Sequence, residues 1–234
     1  MKKKIAILGS TGSVGLSTLK IIDKKRHFFS IILLAANNNY KLICEQIKKY
    51  KPKYFIINDY EVYKKVKSKF VNKKTKIFNN FKQINIKKID LSVAAIPGIA
   101  GLEPTLLFIK YSKKILIANK ESIICGWTLI KKIAIKNKTM IIPVDSEHYS
   151  IFKLIKNIDH KEIDKIYITA SGGPFLNYKK KEMSKILPKE ALKHPKWKMG
   201  KKISIDSSTL MNKILELIEA QKLFNIPNNK LEII

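Results

Sequence analysis

Lys4-Ile-Ala-Ile-Leu-Gly-Ser-Thr-Gly-Ser-Val-Gly15 runs a short apolar strand, Lys4 to Leu8, straight into a glycine-rich turn, and a helical pattern through Leu19 and Ile22 follows. Strand, glycine turn and helix in that order make a phosphate cradle, because glycines let the backbone approach a pyrophosphate and the helix N-terminus supplies N–H groups and partial positive charge. The alternative is a tight turn that holds no ligand. Working outward, apolar segments alternate with helical patterns. Strands are predicted at Phe29–Ala35, Tyr54–Ile57, Leu91–Ile96, Lys114–Ala118 and Met140–Val144, and helices near Glu61–Phe70, Leu102–Lys110 and Ser122–Lys136. Such alternation predicts an α/β protein with a Rossmann-like, doubly wound parallel sheet whose ligands sit at the carboxyl ends of the strands.

The second strand ends in Ala36-Asn37-Asn38-Asn39, where NAD-binding folds place an acid on the ribose 2'-hydroxyl. Neutral amides with Lys41 nearby would tolerate a 2'-phosphate, which favours NADP over NAD, although an asparagine-rich loop is the plainer alternative. Asn119-Lys120-Glu121 lies at another strand end, and so does Met140-Ile-Ile-Pro-Val-Asp-Ser-Glu-His148. If strand geometry persists to its end, Asp145 and Glu147 leave on one face with Ser146 pointing away, which suits a hard divalent cation. Alternatively the acidic residues cap a helix beginning near His148.

Beyond residue 150 the texture changes. A helix is predicted to Ile158 and a strand at Lys165–Thr169. Ala170-Ser-Gly-Gly-Pro-Phe175 then opens a long segment ending in His194-Pro-Lys-Trp-Lys-Met-Gly200. Glycines at both ends and bulky apolar residues within suggest a lid over about 172–200, with core anchoring of Trp197 as the alternative. A last helix is predicted over Asp206–Glu219, capped by Ser207 or Ser208. On it Asn212 and Glu216 share a face beside Lys213. That set suits a phosphate monoester and a third metal carboxylate, although such a pattern ordinarily marks an amphipathic helix with a polar face.

Composition narrows the classes. The chain has 234 residues, 45% of them hydrophobic, and no apolar run near the roughly 20 residues that span a bilayer. Cys44 and Cys125 have no metal spacing and fit a reducing, cytoplasmic setting. The net charge of +29 suggests nucleic acid, but Arg26 is the lone arginine among 47 basic residues, and arginine is the residue that reads phosphates and bases by bidentate contact. The lysines are spread along the chain and read as solvated surface, so neither nucleic acid nor membrane is expected as a partner.

Six motifs in order, GSTGSVG (9–15), ANKES (118–122), PVDSEH (143–148), ASGGPF (170–175), HPKWKMG (194–200) and DSSTLMNK (206–213), closely resemble the 1-deoxy-D-xylulose 5-phosphate reductoisomerase family. The resemblance implies an NADPH-dependent, usually homodimeric enzyme that uses Mg2+ or Mn2+, with Co2+ a further option, on a phosphosugar. It divides the chain into an NADPH-binding domain at 1–145 and the start of an α+β catalytic domain at 146–234, with the carboxy-terminal helical domain absent. By motif, Asp145, Glu147 and Glu216 look like the metal ligands. Lys120, Ser146, Glu147, Ser171, His194, Trp197, Ser207, Asn212, Lys213 and Glu216 look like the substrate shell, of which Lys120, Glu147, His194 and Glu216 are the catalytic candidates. Thr11, Gly12, Ser13, Val14, Ala36, Asn37, Asn38, Asn119, Glu121 and Gly200 correspond to cofactor positions.

The chain departs from the pattern at three places. Ala36-Asn37 replaces a common Gly-Lys, which removes a cation from the implied 2'-phosphate site. Ile214 stands where glycine is usual, so a β-branched side chain is expected to crowd the helix beside the metal. The chain stops at Leu231-Glu-Ile-Ile234, at the start of what reads as a strand, and an apolar strand without neighbours predicts an exposed edge and reduced stability. Other classes fit parts of the pattern: a metal-independent NADP oxidoreductase needs the glycine loop but not the carboxylate trio, and an inactive remnant keeps the motifs without turnover.

Overall fold

The computed structural model describes residues 1–71, 73–193 and 200–234, with Lys180 described in its backbone alone. The chain forms two compact units, Met1–Val144 and Asp145–Ile234.

In the first unit, β1 (Lys3–Leu8), β2 (Phe29–Ala36), β3 (Tyr54–Ile57), β4 (Lys76–Phe78), β5 (Ile89–Ala94), β6 (Ser112–Ile117) and β7 (Met140–Pro143) form one parallel sheet in the order β4-β3-β2-β1-β5-β6-β7. The order reverses between β1 and β5, so the turn after β1 lies at the topological switch point, where doubly wound folds bind ligands. Continuous apolar runs such as Ile5-Ala-Ile-Leu8 are buried because helices cover both faces of the sheet.

Those helices are α1 (Ser13–Lys24), α2 (Tyr40–Tyr50), α3 (Tyr60–Lys69), α4 (Leu102–Tyr111) and α5 (Lys120–Asn137). Helix α1 buries Gly15, Leu19 and Ile22, one stripe at helical spacing. Its side chains pack with Ile43, Ile47, Phe55, Ile57, Val66 and Val93 in the main core. Two strands or α-helices of this unit are not predicted above. Helix α2 shows only a short apolar stripe, interrupted by the buried Gln46, behind an asparagine run; Asn39 caps it by accepting from Leu42 N–H at 3.1 Å. Strand β4 has three residues, too few to show a period.

The second unit holds α6 (Ser146–Leu154), β8 (Ile166–Ile168), α7 (Lys180–Met183), α8 (Pro188–Ala191), α9 (Lys201–Ser208), α10 (Met211–Phe224) and β9 (Leu231–Ile233). Its core joins Ile151, Ile168, Ala220, Phe224, Ile226 and Leu231. The expectation that the final strand lacks neighbours is corrected: β9 pairs in parallel with β8 and buries Leu231, although Ile234 beyond it is 64% exposed.

The helix predicted over Asp206–Glu219 is two helices. Leu210 adopts φ +59, and this left-handed residue ends α9 and starts α10. Ser207 and Ser208 therefore close α9 rather than cap the next helix. Among the described residues, no helix is long and apolar enough to cross a membrane.

Candidate functional site

In the first unit the glycine turn is built by close approach. Gly9 has φ +86, and a Cβ there would lie 2.5 Å from the Ala95 carbonyl oxygen. A Cβ on Gly15 would meet the Gly9 carbonyl oxygen at 2.3 Å. The N–H groups of Gly9 and Ser10 both donate to Ala35 C=O, at 2.9 and 2.8 Å, and Gly12 N–H donates to Gly9 C=O at 3.1 Å. Thr11 is half-buried, Gly12 and Ser13 are exposed, and Val14 packs on the core. The open end of α1, with its first-turn amides, is thus left toward solvent at the switch point.

At the neighbouring strand end Ala36 is buried, whereas Asn37 and Asn38 are exposed. Asn119 caps α5 by accepting from Ser122 N–H at 2.8 Å, and its amide donates to the Ile96 carbonyl and, at 2.8 Å, to Gly98 C=O. Lys120 is buried and Glu121 half-buried in the first turn of α5.

The second unit brings three carboxylates together. Asp145 precedes α6, Glu147 lies in its first turn, Glu216 is on α10, and one oxygen from each falls within 4.8 Å of the others. The strand geometry expected for Asp145 and Glu147 is corrected, because β7 ends at Pro143 and the chain enters α6 directly after Asp145, so Glu147 projects from a helix. Nor does the Asp145 side chain cap α6.

Lys213 Nζ donates to Glu147 Oε1 and Glu216 Oε2, each at 2.6 Å. Burial works against its charge, but the two carboxylates outweigh burial and hold the ammonium's pKa above the usual lysine value. Asn212 donates to Glu216 Oε1 at 2.5 Å, and Ser146 donates to Glu147 Oε2 at 2.5 Å.

Beneath this layer His148 is fully buried, stacked on Phe224, with Nδ1 3.2 Å from Asp145 Oδ1 and 3.7 Å from Glu219 Oε2. Its Nε2–H donates to the Glu216 backbone carbonyl at 2.8 Å. Burial opposes protonation, and the Asp145 and Glu219 carboxylates overcome it to raise the imidazole pKa.

Oxygen ligands alone, clustered about an ammonium already held in place, are a donor set for a hard divalent cation. A model of the 1-deoxy-D-xylulose 5-phosphate reductoisomerase family matches residues 5–126, just over half of the chain, and a model of that enzyme's C-terminal domain matches residues 141–224. The chain belongs to this family.

Among reductoisomerases, the chain is 53% identical to that of Pelagibacter ubique over 99% of its own length and 61% of the relative's. It is 44% identical to that of Clostridium novyi over 99% and 62%. A crystal structure of a DOX-P reductoisomerase in complex with NADPH, fosmidomycin and magnesium matches with a TM-score of 0.91 at 36% identity, over 99% of this chain and 60% of that one. The Zymomonas mobilis reductoisomerase in complex with NADPH matches at 0.89 and 36%, over 100% and 61%. The chain therefore spans about 60% of the length of these reductoisomerases.

The remaining reductoisomerase positions divide by unit. Gly173, at φ +68, packs so that a Cβ would lie 2.7 Å from Ser207 C=O, which sets the Ser171-Gly-Gly turn against the end of α9. Gly200 is exposed and precedes α9. His194 and Trp197 lie outside the described residues, as does the tip of the expected lid; its described part contains α7 and α8. Ile214 does not crowd the helix as expected: the residue is 49% exposed.

Sequence reasoning gave no role to Glu219, His148 or Gln46. Glu219 follows Glu216 by three residues and His148 follows Asp145 by three, helical spacings that could have marked both as partners of the ligand layer.

Proposed function

We propose that the protein carries out the NADPH- and divalent-metal-dependent rearrangement and reduction of 1-deoxy-D-xylulose 5-phosphate to 2-C-methyl-D-erythritol 4-phosphate. The observation that carries this reading is the convergence of Asp145, Glu147 and Glu216 around Lys213 in a chain of the reductoisomerase family.

In this reading Asp145, Glu147 and Glu216 would hold the ion, which would supply positive charge to stabilise developing oxygen anions. Lys213 and Asn212, together with Ser171 and Ser207, grip the phosphate, an anchor remote from the reacting carbons that orients them. Lys120, Ser146 and His194 complete the substrate shell, and Trp197 covers it. Thr11, Gly12, Ser13 and Val14 would hold the pyrophosphate of NADPH, Ala36, Asn37 and Asn38 its adenosine end, and Asn119, Glu121 and Gly200 its other half. Bound there, NADPH would supply the hydride for the reduction. A cytoplasmic homodimer that accepts manganese as well as magnesium completes the reading, and light scattering tests the dimer.

The test is NADPH consumption by the purified chain with 1-deoxy-D-xylulose 5-phosphate and Mg2+ or Mn2+, beside EDTA and Glu216→Gln. Turnover that both controls abolish supports the reading. Metal-independent turnover would mark a simpler NADP oxidoreductase, and NADPH binding without turnover an incomplete site.

A further inference from the structure

Gln46 is a polar residue on the buried face of α2, 4% exposed, between Cys44 and Ile47. Its amide meets one residue of the glycine turn twice. Ser10, itself fully buried, donates from Oγ to Gln46 Oε1 at 2.7 Å, and Gln46 Nε2 donates to Ser10 C=O at 2.9 Å. A carbonyl can only accept, so the amide's orientation is set by chemistry. The pair closes over 36 residues of sequence and ties the turn after β1 to a helix that follows β2.

The consequence lies on the far side of one peptide bond. In a trans peptide the C=O and the following N–H point in opposite directions. With Ser10 C=O turned inward to Gln46, Thr11 N–H is turned away from α2, toward the open end of α1. The N–H groups of Gly9 and Ser10 are already spent on Ala35 C=O, and that of Gly12 on Gly9 C=O. Thr11 N–H is therefore the turn's amide whose direction Gln46 decides.

We propose that Gln46 is a positioning residue for dinucleotide binding: it grips the Ser10 carbonyl and so aims Thr11 N–H at a bound pyrophosphate. This rests on the NADPH reading of the glycine turn. A purely structural role would instead need only that the two polar groups satisfy each other, and it predicts lower stability with no preference among ligands.

The experiment uses the full chain and two probes, NADPH and adenosine 2'-phosphate, which shares the adenosine end but lacks the pyrophosphate. Gln46→Met removes both hydrogen bonds at similar volume, Gln46→Asn withdraws the amide by one methylene, and Ser10→Ala deletes the hydroxyl while leaving the carbonyl bond. NADPH dissociation constants are expected to rise about tenfold in both Gln46 variants, the scale of one lost net hydrogen bond to about two. They are expected to rise less than threefold in Ser10→Ala, with adenosine 2'-phosphate binding unchanged within twofold in all three. Should Gln46→Met not fold, Gln46→Asn decides. NADPH affinity within twofold of the parent in a folded Gln46 variant, or a parallel loss for both probes, would overturn the proposal. A parent chain that binds no NADPH would overturn the cofactor reading itself, and the role of Gln46 with it.

Discussion

Lys213 has two carboxylates at 2.6 Å and little solvent, so removing its charge exposes what it was holding apart. In Lys213→Met, Glu147 and Glu216 face each other with no ammonium between them. Stability is expected to fall by about 2 kcal/mol, short of the roughly 3–5 kcal/mol of a fully buried pair, because the Glu147 side chain is 23% exposed. Millimolar Mg2+ should recover more stability in this variant than in the parent, as read by urea denaturation with and without the ion. Equal shifts in both proteins would remove the trio as its ligands. His148→Leu roughly keeps the volume but removes the imidazole beside Asp145 and Glu219 and its hydrogen bond to the Glu216 carbonyl, and its expected cost is about 2 kcal/mol in the same assay.

Asp90 links three strands: its carboxylate accepts from Lys113 Nζ on β6 at 2.8 Å and from Lys4 N–H on β1 at 2.9 Å. The Lys113 ammonium and then the Lys4 amide hold its pKa below the usual carboxylate value. A depressed folded-state pKa contributes stability above the unfolded-state value and loses it as pH falls through the folded one. Asp90→Asn is therefore expected to cost under about 1 kcal/mol at neutral pH, a surface-pair magnitude. The difference should vanish in the acid limb, and melts across pH check both. At the α9–α10 junction Leu210 sits at φ +59, a conformation that costs a branched residue roughly 1 kcal/mol and that asparagine tolerates. Leu210→Asn is expected to raise stability by about 0.5 kcal/mol, measured by thermal melting; a loss would mean that the half-exposed leucine packs more than it strains.

The two units carry separate cores and separate candidate chemistry, glycine turn in one and carboxylates in the other. The two ligands should therefore protect different segments in hydrogen exchange. NADPH is expected to slow amides near residues 9–16, and Mg2+ those near 145–149 and 213–219; protection of the carboxylate segments by NADPH alone would contradict this assignment. A net charge of +29 makes self-repulsion a property of the whole chain. Raising salt from about 0.02 to 0.3 M should accordingly raise the melting temperature by screening it.

The alternation of apolar runs with helical stripes, the glycine turn after β1, and the acids at the end of β7 were all legible along the chain, because each is a pattern within a dozen neighbouring residues. Backbone sterics and periodicity act at that range. Helix α2 escaped because its apolar stripe is short and broken by Gln46, whose partner Ser10 is 36 residues away. A longer separation hid the layer under the carboxylates: Asp145 immediately precedes α6, which carries His148, Glu216 and Glu219 belong to α10, and only packing places Nδ1 of His148 near both acids. Asp145 and Glu147 converge at the entry to a helix where strand alternation was expected, so tertiary structure replaced the geometry read from the sequence. Local conformational preference identifies which side chains are available; long-range burial, which turns a polar atom toward the partner that satisfies it, decides what each one faces.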